Sequence, residues 1–198
     1  MLLIHPPLSK PCEPPAGIAA LAGALAGRRV PLQVLDANLE GLLHLLEAED
    51  LPAGDAWTRR ALRQRREHLS LLRSPKGYGN IDRYGRAVRD LDRALSAAAG
   101  RRLTFSDYDD PDLSPLRSAD LLRSAEAPER NPFFPWFSRR LEPLLAGSAD
   151  RIVGFSLNYL SQALSTFAMI GWLRRSVPHC TVVLGGGLVT SWMNRPDW

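Results

Sequence analysis

A strand, a helix of small residues and a second strand follow one another before residue 36, and this opening constrains the chain more than any other feature. Leu2-Leu3-Ile4 is a short apolar run stopped by Pro6-Pro7, which suits a strand buried on both faces and ended by a rigid loop. Pro14-Pro15 lead into Ala16 to Ala26, where Ala and Gly alternate with Ile18, Leu21 and Leu25. Proline is tolerated at a helix start because its missing N–H has no partner there anyway. A helix of such small side chains can lie close against a sheet, and Gly27 can cap it. Leu32 to Leu35 then reads as a second strand. The short joints make this a βαβ unit with parallel strands.

The same pattern returns near the other end. Arg151 to Ser156 is a β-branched run leading into a helix from about Ser161 to Ser176, and Cys180 to Leu184 is a fourth strand followed by Gly185-Gly186-Gly187. The expected fold is α/β, a doubly wound, flavodoxin-like, Rossmann-type parallel sheet. Its fifth strand has no counterpart before Trp198, so the chain reads as truncated before its last strand. Between the halves, a helix over Leu42 to Glu49 is followed by Arg- and Leu-rich helical spacing, as in Trp57 to Leu72 and Ile81 to Ala99. This reads as a large helical insertion. The expected division is 1–49 and 151–198 for the two halves of one α/β domain, and 50–150 for the insertion. The aromatic run Asn131 to Phe137 is expected to dock its end on the main body.

Composition narrows the function classes. Over 198 residues the net charge is +4, with acidic residues spread throughout, so no basic stripe marks a nucleic-acid surface. Cys12 and Cys180 stand alone, which argues against a disulfide framework and fits a reducing cytoplasm. No stretch approaches the ~20 uninterrupted apolar residues that cross a bilayer, and the N-terminus lacks the pattern of a secretion signal. No Gly-x-Gly-x-x-Gly, P-loop or nucleophile elbow follows any strand.

In doubly wound sheets, ligands sit beyond the carboxyl ends of the strands. Those ends carry His5, Asp36, Ser156 and Gly185. Asp36-Ala37-Asn38-Leu39-Glu40-Gly41, directly after the second strand, reads as a loop and resembles the Asp-x-His-x-x-Gly loop of the cobalamin-binding domains of methionine synthase and the coenzyme-dependent mutases. In that family the histidine is the lower cobalt ligand, the aspartate bonds the far side of the imidazole, and the glycine lets the backbone turn beneath the corrin. Asp36 and Gly41 match. Asn38 stands in the ligand's place, and its amide has no basic nitrogen lone pair to give a metal.

That departure is similar to the cobalamin-dependent radical S-adenosylmethionine family, in which the lower ligand is commonly missing. Ile4-His5-Pro6-Pro7, Gly154-Phe155-Ser156 and Leu184-Gly185-Gly186-Gly187 also look like motifs of that family. The resemblance covers about half the chain, residues 1 to 46 and 151 to 190. It implies cobalamin held by Asp36, Asn38, Gly41, Ser156, Leu157, Gly185, Gly186 and Gly187, with no protein residue on the metal. It further implies a C-terminal domain of the same polypeptide that uses S-adenosylmethionine and a [4Fe-4S] cluster. Two cysteines cannot supply the three thiolates such a cluster needs, so this chain alone is not expected to be an enzyme. Where the family has Ser-x-Leu, the line reads Ser156-Leu157-Asn158 and matches only the serine.

Each residue also has a plainer reading. The glycines can serve a turn, Ser156 can cap a helix, and Asp36 can bind a ribose hydroxyl. His44 and His5 are open to structural roles or, less simply, to facing a ligand. The chain as a whole could instead be a non-catalytic cobalamin carrier or sensor, or a nucleotide-binding or partner-docking domain without cobalamin.

Overall fold

The computed structural model describes all residues except 13, 50, 53, 147–151 and 196–198. Arg151, expected to open the third strand, lies outside that set, as do Trp198 and the expected domain boundaries at 50, 150 and 151. Four strands, β1 (Leu2–His5), β2 (Gln33–Asp36), β3 (Ile152–Ser156) and β4 (Thr181–Gly185), form one all-parallel sheet in the order β2-β1-β3-β4. The protein is therefore α/β, with a strand order compatible with a Rossmann-like fold. β1 lies inside the sheet and Leu2, Leu3 and Ile4 are buried, as expected of a run that is apolar at every position. His5 pairs with Asp36 across β1 and β2, and Ser156 with Gly185 across β3 and β4, so all four strands end at one edge.

The helices are α1 (Ala16–Gly27), α2 (Ala37–Glu47), α3 (Ala56–Leu72), α4 (Pro75–Tyr78), α5 (Ile81–Ala98), α6 (Ser118–Glu126), α7 (Phe134–Leu145), α8 (Ala163–Ser176) and α9 (Gly187–Met193). The chain gathers into two compact units, Met1–Gly41 with Asp110–Trp198, and Leu42–Asp109. In the first, α8 carries Ala163, Leu164, Ala168, Met169 and Leu173 into the core. α6 runs against α8 at Gly171, where a Cβ would collide with the backbone of Ala125. Ser124 Oγ donates to Leu164 O at 2.8 Å and fastens the same contact. α7 places Phe133, which precedes it, and Phe137 in full burial.

The second unit is helical. α3 and α5 form an antiparallel hairpin around Ala61, Leu62, Leu71, Leu91, Ala94 and Leu95. Asp55 caps α3 and Asn80 caps α5, each accepting from a backbone N–H three residues on at 2.9 Å. The pair His68 Nε2 and Asp90 Oδ2, 3.0 Å apart, ties the two helices together.

Gly171→Ala drives a methyl into backbone that cannot rotate away, so it is expected to cost about 1–3 kcal/mol. Urea denaturation of the purified variant checks this, and an unchanged midpoint contradicts the close approach.

Candidate functional site

The loop after β1 carries the problem that shapes this edge. It is buried over Pro6 to Ser9, its two prolines have no N–H, and its carbonyls still need donors. Side chains from two other segments supply them. Gln162 Nε2 donates to Pro6 O at 2.7 Å, and Ser161 Oγ donates to Leu8 O at 2.8 Å. Asn38 closes a reciprocal pair, its Nδ2 donating to Ser9 O at 2.9 Å and its Oδ1 accepting from Ser9 N–H at 3.0 Å. Asn38 is 2 % exposed. Its amide is spent on the backbone.

The segment 36–41 is not the expected loop. α2 begins at Ala37, directly after β2, rather than at Leu42. Asp36 Oδ1 accepts from Leu39 N–H at 2.9 Å, so Asp36 caps the helix, and Asn38 and Gly41 lie in its first turns. A carboxylate at a helix start is favoured twice, by the free N–H groups and by the helix dipole. Gly41 is a packing glycine, since a Cβ there would stand 3.0 Å from a ring carbon of Phe133. Nearby, Arg140 of α7 forks onto Glu40 of α2 at 2.7 and 3.3 Å, and this bonding raises the Arg140 pKa.

At the other strand ends, Gly186 takes φ +112°, and a side chain there would strike the Leu157 backbone. Leu157 N–H donates to Gly185 O at 2.7 Å and Leu188 N–H to Leu157 O at 3.2 Å, so Leu157, just after β3, is buried against the turn into α9. Gly187 N–H donates to Asn158 Oδ1 at 3.0 Å. Ser156 Oγ accepts from Asn158 Nδ2 at 3.1 Å, which leaves its O–H able to donate. It does not cap a helix. Gly185 differs from the other glycines: nothing lies within 4 Å of where its Cβ would stand, and its φ lies outside the left-handed region. Neither packing nor backbone conformation requires a glycine there.

His5 is 6 % exposed. Its Nε2 meets Ser9 Oγ at 3.0 Å, while its Nδ1 is buried with no hydrogen-bond partner among the described residues. A bare lone pair on Nδ1 is cheaper to bury than an unpaired N–H, which favours the tautomer that donates from Nε2 to Ser9. Burial lowers the His5 pKa, and Asp36 opposes this only in part. His44 is half-buried within α2. Among the described residues no group of three or more His, Cys, Asp or Glu is placed to hold a metal ion, and no helix is long and apolar enough to cross a membrane.

Sequence reasoning missed Gln162. It is fully buried, and its Oε1 accepts from Asn158 N–H at 2.9 Å and Tyr159 N–H at 3.1 Å while its Nε2 reaches Pro6. The available signal was an amide between Ser161 and the apolar run of α8, where a soluble helix start would more often carry a charge. Leu39 and Tyr159, which follow β2 and β3, are exposed apolar side chains that it also passed over. No family model, curated protein or solved structure matches the chain.

Asn38→Ala leaves the Ser9 N–H and C=O unpaired in a buried loop and is expected to cost about 2–4 kcal/mol, read from the urea midpoint. His5 also makes stability depend on pH. Its folded pKa is below the unfolded value, so the unfolded chain takes up the proton first and stability falls as pH drops through about 6.5. Melting temperatures from about pH 7.5 to about pH 5 should decline less steeply for His5→Gln than for the native chain. Parallel declines would contradict this assignment.

Proposed function

We propose that the chain is the cobalamin-binding part of a cobalamin-dependent radical S-adenosylmethionine protein, and that it holds the corrin beyond the carboxyl ends of its strands without a protein nitrogen on the cobalt. The observation that carries the reading is the pairing of Ser156 with Gly185. One offers a hydroxyl hydrogen and the other an open backbone, side by side on adjacent strands. A planar ring system with a nucleotide tail can approach a strand end closely only where no side chain stands, and Gly185 is a glycine that the fold itself does not need. On this reading the Ser156 hydroxyl, whose oxygen accepts from Asn158, donates its hydrogen to a ring nitrogen of that tail. Tyr159, three residues past Ser156, adds exposed apolar surface after β3.

The roles differ from those the motif alone implies. Asp36 and Asn38 shape the floor of the site, one by starting α2 and the other by clasping the β1 loop. Gly41 and Gly186 permit close packing, and Gly187 opens α9. Bound cobalamin supplies methyl transfer or related radical chemistry, in concert with S-adenosylmethionine and a [4Fe-4S] cluster in a further domain. On this reading the sheet is doubly wound and flavodoxin-like, and 50–150 is a helical insertion.

Hydroxocobalamin titrated into the protein and followed by its visible spectrum tests the reading. Uptake is expected, and after reduction the cobalt(II) resonance should show no splitting from a protein nitrogen. Gly185→Leu fills open space, so it should fold normally yet weaken uptake at least about tenfold, or 1.4 kcal/mol. Failure of uptake both by this chain and by one extended through a fifth strand would rule out cobalamin.

A further inference from the structure

The helical unit has a cleft of about 960 Å³ beside the start of α3, the second half of α5 and the segment that follows α5. Its walls bring together one aromatic ring and three guanidinium groups. Trp57 is 68 % exposed, a large apolar ring left in water, and Arg89, Arg93 and Arg101 line the same space. Asp55, Asp90 and Asp92 share the walls, but each carboxylate is already committed. Asp55 accepts from the Thr58 N–H at 2.9 Å and hydroxyl at 2.8 Å and pairs with Arg93 at 3.4 Å; the Thr58 N–H holds its carboxyl below the usual range. Asp90 faces His68 at 3.0 Å, and Asp92 accepts from Phe105 N–H at 2.6 Å. Arg89 and Arg101 make no ion pair among the described residues. Two arginines that line the cleft therefore have no acidic partner among the described residues.

We propose that this cleft binds a small organic anion with a flat ring, of the nucleotide type, its phosphate oxygens taken by Arg89 and Arg101 and its ring laid on Trp57. A guanidinium fork matches phosphate oxygens two at a time, and an indole face stacks on any base. The volume is that of a small-molecule site, roughly 300–1,000 Å³. A polyanionic strand is the poorer fit, because three aspartates stand along the same walls. The site lies wholly within the helical unit and owes nothing to the cobalamin reading.

ADP, adenosine and pyrophosphate titrated separately into the protein at low salt, by calorimetry, test it. ADP should bind at least about tenfold tighter than either fragment. Trp57→Ala should reduce ADP affinity about tenfold, the usual loss for one stacked base, without affecting pyrophosphate. Arg89→Gln with Arg101→Gln should abolish binding of both charged probes, and the corresponding double Lys variant should retain part of it. All of these positions are exposed, and an unchanged circular dichroism melt confirms the fold. ADP bound no tighter than pyrophosphate, no binding at all, or affinity indifferent to these substitutions would overturn the proposal.

Discussion

Two hydrogen bonds between one side-chain amide and the backbone of one residue tie the loop after β1 to the helix after β2 at the carboxyl edge of the sheet. β1 is buried along its whole length and so is the loop that leaves it, and a buried loop must find partners for every N–H and C=O. After β1 the difficulty is sharpest, because Pro6 and Pro7 contribute carbonyls but no donors. Asn38 meets it by presenting a donor and an acceptor to Ser9 at once, in the geometry that a neighbouring strand would offer. Only a carboxamide does this. A histidine in the same place would supply a ring nitrogen but lose the reciprocal pair, so the residue that departs from the ligand motif is the one that the loop requires.

The strands were legible in the sequence because each is a short apolar run bounded by proline, glycine or charge. α1, α3, α5 and α8 were legible because their repeats are long. The start of α2 was not. Asp36 to Gly41 reads as a loop when a motif is laid over it, but Asp36 is an ordinary helix cap and the turns that follow are ordinary helix. α9 was also hidden, because three glycines in a row look like a turn and nothing more. α6 and α7 sit among prolines and short polar breaks, where periodicity has too few residues to register.

Among the site residues, what could be read was location, and what could not was role. All the strand-end residues do meet at one edge, as topology requires. Which glycine answers to packing and which does not depends on what stands a few ångströms away across the fold. Gly41 faces Phe133 from far along the chain, and Gly186 faces Leu157. Gly185, between them in motif terms, faces nothing. No local pattern separates these three.

Gln162 gives the edge a mechanical property. One rigid amide plane holds the peptides after β3 with its oxygen and the loop after β1 with its nitrogen, and none of it is free to turn. A push on Tyr159 is therefore transmitted to Pro6 through a single side chain, and from there along the loop to Ser9 and α2. The three strand ends behave as one stiff rim. Whatever settles against one of them meets the other two already set in place.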